Sequence, residues 1–175
     1  PLSERPFDNE YDFKGNPYQI DGWLTRVVTS VQACPADPHI LFACDEAGYL
    51  YRSLDAGASW ADCSAGLAGA MVRAALPAPH SITVVLAATD RGLYRSPDGG
   101  LTWVRVLAGN ATGLSRALSG TGAAYAVVDG RVYESMEFGA DHWGAKWQET
   151  GGEMPPVSLK RMFLVPAEDG VLFWA

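Results

Sequence analysis

The chain has 175 residues, 48% hydrophobic and 19% charged, a balance that fits one ordered core and excludes an intrinsically disordered segment. A net charge of −7 without any run of Lys or Arg excludes a surface for non-specific nucleic-acid or anionic-membrane binding, because both need clustered basic residues. No apolar run approaches the roughly 20 residues of a membrane-spanning helix, so no transmembrane segment is expected in this stretch.

Residues 1–22 read as an extended arm. Phe7, Tyr11, Phe13 and Tyr18, with Trp23 beyond them, sit among Asp8, Asn9, Glu10, Asp12, Lys14 and Asn16 and follow neither a period of 2 nor one of 3.6. Such rings dock either on the chain's own folded body or, as interface anchors, on a partner. The chain opens on Pro1-Leu2-Ser3 rather than Met, and a true start upstream is expected.

From Trp23 the chain repeats one unit, with boundaries near 23–66, 67–109 and 110–152 and a partial unit over 153–175. The first unit is expected to run as strands Leu24–Val28, Ile40–Cys44, Tyr49–Ser53 and Trp60–Cys63, with turns at Pro35–Pro38 and Asp45–Gly48. The second follows the same order with Val72–Leu76, Ile82–Ala88, Leu93–Arg95 and Trp103–Leu107, and the third with Ser115–Leu118, Ala123–Val128, Val132–Glu134 and Lys146–Glu149. The fourth begins with Leu159–Val165 and Val171–Trp174. Tyr51, Tyr94, Tyr133 and Phe173 recur at intervals of 43, 39 and 40 residues. A period near 40 with four short strands predicts an all-β chain of β-propeller blades, each of four antiparallel strands. The apolar second strands fit burial on both faces between adjacent blades. About three and a half blades do not close a ring of 4–8, so the propeller is expected to be incomplete here, either because the chain continues past Ala175 or because another chain covers its edges.

The most informative stretch is the turn between the third and fourth strands. Ser53-x-Asp55-x-Gly57-x-Ser59-Trp60 and Ser96-x-Asp98-x-Gly100-x-Thr102-Trp103 share one logic. The Asp accepts hydrogen bonds from backbone N–H groups a few residues on, the Gly supplies a positive φ, and the Trp covers the turn. The third copy, Tyr133 to Gly139, departs: Glu137 replaces the Asp, and Asp141-His142 pushes Trp143 one place late, predicting a longer hairpin.

This spacing resembles the Asp-box of BNR-repeat proteins, a group that includes sialidases, sortilin-type receptors, some glycanases and the photosystem II assembly or stability factors. The resemblance rests on Ser53, Asp55, Gly57 and Trp60, and on Ser96, Asp98, Gly100 and Trp103, as structural residues of the turn. It implies a propeller fold. Its stability-factor branch implies a scaffold that binds or stabilises a larger protein assembly, such as a photosynthetic membrane complex, in a periplasmic, extracellular or lumenal setting. Its sialidase and glycanase branches imply the alternative, a glycan-active or glycan-binding propeller.

The residues themselves favour the non-catalytic reading. Asp45, Asp90, Asp129 and Asp169 all stand at the turn between second and third strands, and a carboxylate present in every unit is a turn former. His39, His80 and His142 lack zinc-type spacing, so no metal or cofactor is expected. The one candidate for a convergent site is Arg26, Arg73 and Arg116, each placed on the first strand of its unit. They would face a central channel as a basic patch for an acidic protein partner, or pair with neighbouring carboxylates. No isolated pair of carboxylates suited to glycoside cleavage is nominated. Cys34, Cys44 and Cys63 lack metal-ligand spacing and are expected either to include a Cys34–Cys44 bridge or to be buried free thiols.

Overall fold

A computed structural model describes residues 27–117, 122–135, 142–153, 162–165 and 171–174, the last two segments by backbone alone. The arm with Phe7, Tyr11, Phe13 and Tyr18, and Arg26, lie outside the described residues.

The fold is all-β. Three four-stranded antiparallel sheets follow one another, each with its strands hydrogen-bonded in chain order. The first holds β1 (Val28–Cys34), β2 (Asp37–Asp45), β3 (Leu50–Ser53) and β4 (Ala61–Asp62). The second holds β5 (Val72–Pro77), β6 (Val85–Thr89), β7 (Gly92–Ser96) and β8 (Val104–Ala108). The third holds β9 (Ala111–Arg116), β10 (Ala124–Val128), β11 (Arg131–Ser135) and β12 (Gln148–Glu153), and β13 (Met162–Val165) pairs with β14 (Val171–Trp174) in a fourth. The first strands lie side by side in the order β1, β5, β9, β13, which is the succession of inner strands in a β-propeller. Among the described residues the only helical element is a short 3-10 turn, Ser64–Leu67.

Several strands differ in extent from the sequence reading. The first strand is Val28–Cys34 rather than Leu24–Val28, and β2 begins at Asp37, so the expected Pro35–Pro38 turn shrinks to the Pro35-Ala36 tip of a hairpin. The third unit's first strand is Ala111–Arg116 rather than Ser115–Leu118. In each case the hydrogen-bonding partner sets the strand's length: β10 pairs along the whole of β9, from Ala111 opposite Val128 to Arg116 opposite Ala124. At the other end of β10, Asp129 and Gly130, with φ of 50° and 76°, make the two-residue turn whose twist matches a hairpin.

The second strands form the core. All five residues of β6 are buried, as are four of the five in β10. Between the first and second sheets, Cys34, Ile40, Phe42, Cys44 and Leu50 pack against Ala75, Val85, Ala87 and Tyr94 in one cluster. Leu76 and Leu86 meet Ala124 and Trp143, and Ala88 and Leu93 meet Ala126 and Val128, at the next junction. Strands buried on both faces read as near-continuous apolar runs, as these do.

All three cysteines are free and buried, and strand register excludes the bridge considered from sequence. Cys34 stands opposite Asp37 at the hairpin end of β1, while Cys44 stands opposite Ser30. Four residues of strand at about 3.4 Å each separate Cys34 from the position facing Cys44, far beyond disulfide reach. Burial pushes the Cys44 thiol up to about 12 and the Cys63 thiol up to about 11.

Candidate functional site

Three sets of polar side chains recur from sheet to sheet, and each is engaged in holding the sheets. The first set is the turn after the third strand. Ser53 Oγ donates to Asp55 Oδ1 at 2.8 Å and accepts from the Gly57 N–H at 2.8 Å. The Ser59 N–H and Oγ donate to the two Asp55 oxygens at 2.8 and 2.6 Å. In the second sheet Ser96, Asp98, Gly100 and Thr102 reproduce this network, with distances of 2.8, 2.7, 2.8 and 2.6 Å. Hydrogen bonds from the Ser59 hydroxyl and N–H, then from Ser53, hold the Asp55 carboxyl down at about 2. For Asp98, burial pushes upward, and the bonds from Thr102, Ser96 and the Leu101 N–H together outweigh it, so its carboxyl is also lowered.

The third turn is built differently from the sequence reading. The Trp60 indole donates to Gly57 O at 3.1 Å, and the Trp147 indole donates to Gly144 O at 2.9 Å, in both cases three residues back. Gly144 has φ +71°, in the same left-handed region as Gly57 and Gly100. Trp147, rather than Trp143, therefore occupies the capping place, and His142 stands where Asp55 and Asp98 stand. Gly144 comes nine residues after Ser135, whereas Gly57 and Gly100 each come four after their serines. Met136 to Asp141 lie outside the described residues.

The second set joins neighbouring sheets. Arg52 Nη1 on β3 donates to Gly99 O of the second sheet at 2.6 Å, and Arg95 Nε on β7 donates to Trp143 O of the third at 2.8 Å. Gly99 and Trp143 each precede the turn glycine, Gly100 and Gly144, so the two bonds are equivalent. A charged donor to a half-buried carbonyl stabilises by about 1.5–3 kcal/mol. Trp103 adds a cross-sheet bond, its indole donating to Cys63 O at 2.9 Å. Sequence reading overlooked these arginines, although Tyr51-Arg52-Ser53 and Tyr94-Arg95-Ser96 repeat in register. The third copy has Glu134 at that place, where it accepts from the Tyr125 hydroxyl at 2.5 Å. Burial, then that bond, raises the Tyr125 phenol to about 12.

The third set lies at the opposite end of each sheet. The Met71 N–H donates to Asp90 Oδ1 and the Asn110 N–H to Asp129 Oδ1, both at 2.8 Å, and the Val27 N–H to Glu46 Oε1 at 3.5 Å. Each pair is 19 residues apart and is closed by a return backbone bond, from Asp90 N to Met71 O for example. Asp45 does a different job from Asp90 and Asp129: it is buried and accepts from Tyr49 N–H and the Tyr51 hydroxyl. Asp169 lies outside the described residues.

Of the candidate arginines, the structure places Arg73 second in β5 and Arg116 last in β9. Arg73 Nη1 is exposed and reaches Asn110 Oδ1 at 2.5 Å and Ala111 O at 3.4 Å, at the start of β9. Arg116 Nη1 reaches Pro77 O at 3.4 Å, at the end of β5. The two therefore lie at opposite ends of adjacent inner strands and do not converge on one point. At the Arg73 end, Val27, Tyr49 and Met71 are exposed apolar side chains on neighbouring turns. Among the described residues no cluster of three or more His, Cys, Asp or Glu is arranged to hold a metal ion, and no helix is long and apolar enough to cross a membrane.

No protein-family model and no curated protein matches the sequence. Solved structures do. The chain is similar to an ancestral GH74 enzyme at 17% identity and a TM-score of 0.63, over 79% of this chain and 20% of that one. It is similar to the GH74 enzyme of Niastella koreensis at 18% identity and a TM-score of 0.51, over 78% of this chain and 24% of that one. YCF48 bound to D1 peptide matches at 19% identity and a TM-score of 0.50, over 78% of this chain and 42% of that one. The chain thus spans less than half the length of each of these structures, and at such identities what is shared is the fold, a β-propeller built of four-stranded blades.

Proposed function

We propose that this chain is a non-catalytic interaction module of the Asp-box propeller type, which binds or stabilises a larger protein assembly. The observation that carries the reading is the engagement of the recurring carboxylates. Asp55 and Asp98 accept from backbone and hydroxyl groups of their own turns, and Asp90 and Asp129 accept from strand-leading N–H groups. A catalytic acid needs a raised pKa, and Asp55 and Asp98 are shifted the other way. The two matching Ser-Asp-Gly-Trp networks support the Asp-box assignment. The contact surface proposed is the end of the sheets that carries the exposed side chains of Arg73, Tyr49 and Met71. Arginine, aromatic and methionine side chains exposed at one end suit a peptide segment with an acidic residue. One similar structure is described as holding a D1 peptide, and an assembly role at a membrane complex, in a periplasmic or lumenal setting, is the version of this reading we favour.

Affinity capture with the tagged full chain from native membrane extracts, with Arg73→Glu alongside, tests it. A stable partner retained by the parent chain and lost by the variant is expected. No partner for either, or equal retention by both, overturns the reading. A second reading, a glycan-active propeller, is favoured by the two similar GH74 enzymes. Turnover of any member of an aryl-glycoside and sialoside panel would select it.

A further inference from the structure

The link between the second and third sheets carries a residue type that its counterparts lack. The residue that leads each first strand is Val27, Met71 and Asn110 in turn, and each donates its N–H to the carboxylate of Glu46, Asp90 or Asp129. Only the third has a polar side chain, and it opens the triplet Asn110-Ala111-Thr112. An Asn-x-Ser/Thr triplet without Pro at its centre is the acceptor pattern for N-linked glycans, and its Asn belongs on a surface loop. Asn110 meets that condition: it is exposed, in the two-residue link between β8 and β9. No other Asn of the chain has Ser or Thr two residues on.

The amide is turned to suit. The backbone of Asn110 is pinned by its bond to Asp129 Oδ1 and by the return bond from Asp129 N to Asn110 O at 3.0 Å. A guanidinium only donates, so the amide atom facing Arg73 Nη1 is Oδ1, and Nδ2 is the atom left over. Among the described residues no acceptor engages Nδ2. Thr112 has no residue opposite it, because β10 pairs Val128 with Ala111 and Val127 with Gly113. Thr29 holds the same unpaired place in β1, where its hydroxyl donates to Cys44 O at 3.2 Å. No hydrogen bond engages the Thr112 hydroxyl among the described residues.

We propose that Asn110 is a glycosylation site whose Nδ2 takes an oligosaccharide from a lipid pyrophosphate donor. The transfer forms a bond from Nδ2 to C1 of the first sugar and breaks the bond from that carbon to a pyrophosphate oxygen; the amide proton and the lipid pyrophosphate leave. Oδ1 is untouched, so the bond from Arg73 survives. The sugar then stands beside Arg73, and, resting on the function and setting proposed above, only the unmodified chain presents that end to a peptide.

The experiment is mass spectrometry of the full chain purified from the cells that make it. Trypsin releases Val106–Arg116, which holds both Asn110 and Thr112. This peptide is expected to carry a sugar mass that electron-transfer fragmentation places on Asn110. The sugar is expected to vanish in Thr112→Val, which leaves the Arg73 and Asp129 bonds to Asn110 in place. Recovery of the peptide at its unmodified mass alone, or a sugar placed on Thr112 or Ser115 instead, overturns the proposal. As a second readout, p-hydroxyphenylglyoxal is predicted to modify Arg73 about threefold faster in Thr112→Val than in the glycosylated chain, because a glycan is bulky. Equal rates overturn the shielding of this end. Both readouts are independent of any partner, so their failure is distinct from failure of the interaction reading.

Discussion

Alanine at two equivalent turn glycines separates the cost of the turn from the cost of sheet packing. Gly57 and Gly100 have φ of +93° and +94°, and a Cβ at either would lie 3.6 Å from Cζ2 of the capping Trp. A left-handed conformation costs an L-residue about 1–2 kcal/mol, and that cost applies to both. Their surroundings differ. At Gly57 the nearest neighbour of the new methyl is Leu41 Cδ1 at 3.5 Å, an ordinary contact. At Gly100 it would meet Cys63 Cβ at 3.0 Å and Sγ at 3.1 Å, across the junction with the first sheet. Cys63 is buried and its carbonyl is held by the Trp103 indole, so it cannot withdraw without breaking that bond. Overpacking of this kind costs about 1–3 kcal/mol more. We therefore expect Gly57→Ala to destabilise by about 1–2 kcal/mol and Gly100→Ala by about 2–5 kcal/mol. Urea unfolding by linear extrapolation measures both, and the slopes should be equal. Equal destabilisation by the two substitutions would refute the claim that the second sheet's turn is seated against the first sheet.

Arg95→Met removes the charged bond to Trp143 O while keeping the aliphatic stem, and a loss of about 1.5–3 kcal/mol is expected in the same assay. Trp147→Phe is expected to cost about 1 kcal/mol through loss of the Gly144 bond, and a null effect would return the cap to Trp143. The buried thiols should resist Ellman's reagent at pH 8 until the protein unfolds, and fast labelling of the native chain would contradict their burial. Because the folded Cys44 and Cys63 pKa values are raised, their contribution to stability is complete below the unfolded thiol pKa near 9. It is lost as pH rises toward about 12 for Cys44 and about 11 for Cys63, which alkaline denaturation of Cys→Ala variants would reveal as a flattened limb.

The parts of this fold that were legible in the sequence are those whose hydrogen bonds close locally. Ser53 to Trp60 and Ser96 to Thr102 satisfy one another within a few residues, so spacing alone exposed them. The straps from Arg52 and Arg95 escaped notice because their acceptors lie 47 and 48 residues away, and nothing local distinguishes such a side chain from one pointing into solvent. Trp147 was read as a strand residue because the longer loop after Ser135 broke the count, leaving Trp143 as the nearer candidate. Arg73 lies in β5 and Arg116 in β9, both first strands of their sheets. Their separation depended on position within β5 and β9, which is set by pairing with β6 and β10.

On the function proposed above, the recurring aspartates frame the sheets rather than react. Carbon-13 NMR titration of the side-chain carboxyls tests this most directly. Asp55 is predicted to titrate at about 2 and Asp98 below the ordinary carboxylate range. Lowered folded values stabilise the protein above the unfolded pKa near 4, and the share from Asp55 should fall away as pH drops toward about 2. An ordinary or raised value at either position, as a general acid would show, would contradict the account.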